Sequence, residues 1–158
     1  MSGEVVLFTP AMAKHDKGEG TMEHIIWSDD LSVGVDEMDY QHKRLVGMIN
    51  RLVDLASLTR TDQSVIKAAY LRVLSDMVQY ATVHFDTEER YLKAIGYADF
   101  DNHVEEHKSF TRKASELEQK GAQGDLDIAG TSEYLQKWLS GHILHTDMDY
   151  RKFKECGA

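Results

Sequence analysis

The chain has 158 residues, a length that fits one domain with a sizeable core and excludes a second folded domain. Its 18 basic and 27 acidic side chains give a net charge of −9, and no basic run occurs, so we expect neither nucleic acid nor an anionic membrane as a partner. The single cysteine, Cys156, excludes an intrachain disulfide. With one proline and 42% apolar residues, the composition favours long helices, and its eight histidines are unusual.

The first 24 residues show no helical periodicity, and we predict that they form a tail or arm outside a domain spanning residues 25–158. The apolar run at residues 5–8 follows Glu4 instead of a basic residue and is broken by Pro10, so it does not predict a signal peptide. No apolar stretch approaches the roughly 18 residues that a membrane span needs. We therefore expect a cytoplasmic protein.

Apolar residues recur at helical spacing in four segments. After an irregular lead-in at residues 27–35, Asp36 or Asp39 is predicted to cap the first helix, which ends at a turn at residues 59–62. A second, long helix is predicted over about residues 64–94, and Gly96 closes it.

A third helix is predicted to begin at Asp99 or Asp101 and to end where Gly121 and Gly124 break the pattern. A fourth begins at Thr131, its predicted N-cap, and continues into the C-terminal region. Four helices with short connections predict an all-α fold, an up-down-up-down antiparallel four-helix bundle with an N-terminal extension.

Side chains of the kinds that bind metals occupy the predicted buried face of every helix. On the first helix one histidine precedes Leu45 and Ile49 by 3 and 7 residues, and the other helices repeat such spacings. Buried imidazoles and a carboxylate are costly without partners, so they indicate a metal, with iron, copper, zinc and nickel all suited to imidazole. Five histidines exceed the need of one ion with an open position, which favours two ions. The set comprises His42, His84, Glu88, His103, His107 and His142.

The fourth helix leaves one position open. If His142 faces the core, regular α-helical spacing places Thr146 or His145 next on that face. Asp147, five residues on, is rotated by about 140° from His142 on an ideal helix. Spacing alone therefore nominates His145 as a sixth histidine.

Together these segments resemble the hemerythrin family, in particular its single-domain bacterial members. The resemblance covers about residues 25–153, and its strength is that five separate spacings agree. The matching segments are Gln41-His42 with Leu45, His84-Phe85-x-x-Glu88, His103-x-x-x-His107 with Phe110, and Trp138-x-x-x-His142-Ile143-x-x-x-Asp147.

The resemblance implies two iron ions, cycling between Fe(II) and Fe(III), that are bridged by two carboxylates and by an oxo or hydroxo group. One iron has three histidine ligands, and the other has two and keeps an open position for dioxygen. The implied function is reversible binding of dioxygen for storage, delivery or scavenging. The implied ligands are His42, His84, Glu88, His103, His107, His142 and Asp147, which leaves His145 outside the ligand set.

The resemblance also implies a dioxygen pocket lined by Leu45, Phe85, Trp138 and Ile143. All four side chains are apolar, and no general acid accompanies them, so we expect a binding protein and not an enzyme. Plain core packing is the competing interpretation of these four residues, and the two roles are compatible.

Two other functions compete with oxygen binding. A ferritin-like di-iron oxidase also uses a four-helix bundle, but it takes ligands from Glu-x-x-His pairs, and this sequence contains none. A sensor of oxygen or redox state would act through a protein partner, for which the N-terminal tail offers a contact. The autoxidation rate and the neighbouring genes discriminate a sensor from a storage protein, and an optical spectrum of the anaerobically reduced protein before and after adding air narrows the possible functions most.

Overall fold

The computed structural model describes residues 22–157, and within this range the fold is a four-helix bundle without strands, as predicted. The first three helices are α1 (Asp36–Ala56), α2 (Gln63–Ala94) and α3 (Phe100–Ala122). The fourth is one continuous rod made of α4 (Ile128–Gly141), a π-helical segment (His142–Asp147) and α5 (Met148–Glu155). A short 3₁₀ turn, Asp29–Leu31, lies in the lead-in.

Short connections make successive helices antiparallel. α1 packs against α2 and α4, and α2 packs against α3. Each helix turns an apolar stripe inward, because residues three and four apart share one face. The fully buried side chains include Ile49, Leu52, Leu74, Met77, Leu92, Leu135 and Ile143.

The predicted N-cap of the first helix is wrong. The N-cap residue of α1 is Val35, and neither Asp36 nor Asp39 caps the helix. Asp39 is instead engaged by the lead-in, because the backbone N–H of Val33 and the hydroxyl of Ser32 both donate to its carboxylate, at 2.8 and 2.6 Å.

The fourth helix begins three residues earlier than predicted, at Ile128. Asp127 caps it by accepting a hydrogen bond from the backbone N–H of Gly130 at 2.9 Å. Thr131, the predicted cap, is buried within the helix, and its hydroxyl lies 3.1 Å from the hydroxyl of Tyr70.

Gly121 also lies inside a helix, α3, where it contacts α2. A Cβ atom at this position would lie 2.7 Å from Cε1 of Tyr70, so the absence of a side chain permits the close approach. The helix ends at Ala122 with Gln123 as its C-cap, and Gly124 follows with a φ of +97°.

The described chain begins on the surface of the bundle. The predicted tail at residues 1–24 lies outside the described residues except for its last three. There the backbone carbonyl of Glu23 accepts a hydrogen bond from Gln136, and His24 lies 2.8 Å from Asp54. Between residues 22 and 157 no helix is both long and apolar enough to cross a membrane. Cys156 is exposed at the other end.

Candidate metal centre

The seven side chains nominated as metal ligands meet in the middle of the bundle, and each of these residues is at most 4% exposed. We call this set the candidate centre. Every rod of the bundle contributes to it, so its geometry depends on the packing of all four. α1 provides His42, α2 provides His84 and Glu88, α3 provides His103 and His107, and the π-helical segment provides His142 and Asp147.

Four of these side chains form what we call the three-histidine group, namely Glu88, His103, His107 and His142, whose ligand atoms all lie within 4.8 Å of one another. Oε2 of Glu88 is 3.1 Å from Nε2 of His103 and 3.2 Å from Nε2 of His107. Nε2 of His107 is 3.1 Å from Nε2 of His142. Three imidazole nitrogens and one carboxylate oxygen thus converge on one small volume.

The other side of the candidate centre is the two-histidine group, which comprises His42, His84 and again Glu88. Asp147 faces both groups, because its Oδ2 lies 3.3 Å from Nε2 of His42 while its Oδ1 lies 3.1 Å from Nε2 of His142. Glu88 and Asp147 are therefore the side chains that connect the two groups.

The π-helical segment explains how Asp147 reaches the candidate centre. Bonding from residue i to residue i+5 widens the turn, so residues five apart come onto one face. His142 and Asp147 are both buried as a result, whereas His145 is exposed. Regular α-helical spacing does not hold at this point of the chain.

Both carboxylates of the candidate centre are ionised in spite of their burial. Burial acts to raise the pKa of Glu88, but the neighbouring imidazoles of His103 and His107 lower it well below its ordinary value. Burial and the charge of Glu88 likewise act to raise the pKa of Asp147, yet His142 and His42 bring it to about 2. Two buried negative charges require positive charge beside them.

The pKa values of two histidines, His84 and His142, shift in opposite directions. Burial lowers the pKa of His84 to about 4, which leaves a neutral imidazole at neutral pH. Burial acts in the same direction on His142, but Asp147 and Glu106 outweigh it and raise its pKa to about 10. Asp147 and Glu106 therefore favour positive charge at His142.

A metal ion fits the donor set of the candidate centre. Both carboxylate oxygens of Asp147 and both ring nitrogens of His42 are buried, and none has a hydrogen-bond partner within residues 22–157. All five histidines turn Nε2 toward a carboxylate or another imidazole in the candidate centre. Such orphaned atoms are costly unless they bind a cation. Imidazole and carboxylate together suit iron and other transition metals.

The sequence analysis assigned no role to the polar side chains that surround the candidate centre. The hydroxyl of Tyr150 donates to Oε1 of Glu88 at 2.8 Å, and Gln41, Glu89 and Glu106 accept from histidines. Tyr150 follows Asp147 by three residues, a helical spacing that could have revealed it. Glu89 and Glu106 adjoin ligands in sequence, but exposed glutamates are too common on helices to carry a signal.

Aromatic rings cover one side of the candidate centre. Phe85 stacks on His107 with ring centroids 3.9 Å apart, and Trp138 stacks on His142 at 4.5 Å. Leu45 and Ile143 are buried in the hydrophobic core that includes Phe85. An open groove of about 700 Å³ between α2 and α3 reaches Phe85 and His107 from the surface.

Sequence comparisons find relatives over most of the chain. The family model described as the Hemerythrin HHE cation binding domain matches residues 33–152. A protein named bacteriohemerythrin from Pseudomonas aeruginosa is 35% identical over 130 residues, which cover 82% of this chain and 80% of the relative. The bacteriohemerythrin of Clostridium acetobutylicum is 29% identical over 127 residues, 79% of this chain and 97% of the relative.

Structural comparison gives the same family. A solved structure titled as wild-type hemerythrin superposes with a TM-score of 0.72 at 27% sequence identity, covering 81% of this chain and 95% of that one. The family match spans all seven residues of the candidate centre. On these grounds, the chain belongs to the hemerythrin HHE cation-binding domain family.

Proposed function

We propose that this protein binds dioxygen reversibly at a pair of iron ions, for storage, delivery or scavenging of oxygen. Its membership of the hemerythrin family supports a di-iron oxygen-binding protein. The observation that carries the proposal is the convergence of five Nε2 atoms on two buried carboxylates that each face both groups of histidines.

In this proposal each histidine group would hold one iron. Glu88 and Asp147 would bind both ions, because each carboxylate already contacts histidines of the two groups. When bound, the two irons supply the electrons and the open coordination position that reversible binding of dioxygen requires. The two-histidine group has the fewer donors and is the side on which we place that position.

The protein's own part would be to keep water and protons away from the bound irons. Leu45, Phe85 and Ile143 are buried and apolar, and they offer no proton donor. Tyr150 is a buried hydroxyl beside the candidate centre, but its proton is engaged with Glu88. Burial and the nearby carboxylates raise the pKa of Tyr150, so the hydroxyl holds its proton.

The test is an optical and elemental measurement on the protein expressed with added iron. We expect about two irons per chain, as the two groups of ligands imply. We also expect a visible band that appears when the anaerobically reduced protein meets air and that disappears when oxygen is purged.

A single zinc per chain, or no iron after supplementation, would contradict the proposal. Continuous consumption of oxygen in the presence of a reductant would instead favour a di-iron oxidase. A band that returns at full intensity in each of several cycles of oxygenation and purging supports binding without turnover.

A further inference from the structure

Two carboxylates outside the candidate centre accept hydrogen bonds from histidines of the three-histidine group. Nδ1 of His107 donates to Glu89 at 3.0 Å, and Nδ1 of His142 donates to Glu106 at 2.7 Å. Thr146 donates to the same oxygen of Glu106 at 2.8 Å and fixes its position. Both carboxylates reach the surface, with side chains 27% and 48% exposed, so their charge costs little to maintain.

The two-histidine group lacks such anionic acceptors. Nδ1 of His84 donates to the neutral amide oxygen of Gln41 at 2.8 Å. Nδ1 of His42 is buried and has no hydrogen-bond partner within the described chain. The remaining histidine of the three-histidine group, His103, also has an unpartnered Nδ1. The contrast is thus two anionic acceptors on one side of the candidate centre and one neutral acceptor on the other.

A carboxylate that accepts from Nδ1 changes the opposite nitrogen of the ring. It holds the proton on Nδ1, so that Nε2 keeps its lone pair for a metal, and it makes that lone pair more basic. A more basic donor binds a metal more tightly and stabilises the higher oxidation state of that metal. An amide oxygen fixes the same tautomer with a weaker electronic effect, because it carries no net charge.

From this asymmetry, and resting on the di-iron function proposed above, we infer that Glu89 and Glu106 are positioning residues that make the two iron sites unequal. The three-histidine group is the tighter site and the one that favours Fe(III). The two-histidine group is the weaker site, and it keeps its iron closer to Fe(II). This contribution adds to the difference in the number of histidines, and it arises outside the ligand set, on the solvent side of two imidazoles.

These hydrogen bonds differ from ordinary surface ion pairs, which contribute little because both partners are mobile and solvated. Here the donor rings are buried and held by stacking, His107 by Phe85 and His142 by Trp138.

The test compares variants of the full-length, iron-loaded protein at equilibrium with increasing concentrations of a chelator that binds Fe(II). The measured quantity is the iron that each variant retains. We expect the wild type to lose its two irons in two separate steps. Glu89→Gln and Glu106→Gln should each weaken the tighter site by about 10–100-fold. Gln41→Leu should weaken only the looser site. The matched control is Glu105→Gln, next in sequence to Glu106, whose exposed carboxylate pairs with Lys108.

A redox titration gives a second measurement, the reduction potential of each iron, which a loss of packing alone would not change. Glu106→Gln should raise the potential at which the first iron is oxidised, while Glu105→Gln should leave it unchanged. A wild type that holds fewer than two irons would overturn the di-iron proposal itself. Two irons held in the wild type, with either no effect of the glutamate variants or equal effects on both steps, would overturn only this inference.

Discussion

At the scale of single residues, Glu88 and Asp147 use their two carboxylate oxygens for different partners. Oε2 of Glu88 faces His103 and His107, while its Oε1 accepts from Tyr150. The oxygens of Asp147 divide in a similar way between the two histidine groups. Because each carboxylate contacts both groups, its removal should disturb both sites at once.

Asp147 and His145 provide a direct test of which residue of the fourth helix binds metal. We expect Asp147→Ala to lose at least one iron and the oxygenated band, because a buried bridging charge is removed. His145→Ala should retain both, since that side chain is exposed. Iron analysis and the visible spectrum check the outcome, with circular dichroism as the control for folding. Loss of iron in His145→Ala alone would contradict the assignment of Asp147.

The limit of sequence reasoning also lies at this residue. Helical periodicity placed His42, His84, Glu88 and His142 on buried faces, because those helices keep regular spacing up to each of them. Asp147 could not be derived in this way, since the wider π-helical turn changes the spacing after His142. Only resemblance to a family nominated it.

At the scale of helices, the N-caps of α1 and α4 could not be predicted from local sequence. Asp39 and Thr131 have the chemistry of N-caps, but their partners come from elsewhere in the fold, the lead-in for Asp39 and Tyr70 for Thr131. Local preference cannot reveal a competing tertiary partner. The ends marked by Gly96 and Gly124 were more predictable, because both adopt positive φ, where glycine is favoured.

Two glycines inside helices should respond to alanine in opposite ways. Gly121→Ala places a methyl group against the buried ring of Tyr70, and we expect a loss of about 1–2 kcal/mol, since overpacking outweighs the gain in helix propensity. Gly47→Ala meets nothing within 4 Å and should stabilise α1 by about 0.5–1 kcal/mol. Urea unfolding of both variants measures the difference. Stabilisation in both would show that α2 and α3 adjust to the extra methyl group.

At the scale of the whole molecule, metal binding joins all four rods of the bundle, because each contributes ligands. A metal that binds only the folded chain stabilises it by a free energy that grows with the logarithm of its affinity.

Burial of the candidate centre also determines how its iron can leave. A chelator cannot contact side chains that are at most 4% exposed until the helices separate locally. At saturating chelator, we expect the rate of iron loss to become independent of chelator concentration and to match the rate of local opening. Stopped-flow or manual mixing at several chelator concentrations measures the first rate, and hydrogen exchange of α2 and α3 amides measures the second. A rate that rises in proportion to chelator concentration throughout would contradict this.

The same burial makes the residence time of iron a property of the packing between helices. A substitution that loosens the contact of α3 with α2, such as Gly121→Ala, increases the frequency of local opening. Iron should then exchange faster with its surroundings, although every ligand is unchanged. Selection for long retention of iron would therefore act on residues throughout the bundle. These include Gly121, which is not a ligand and contacts Tyr70.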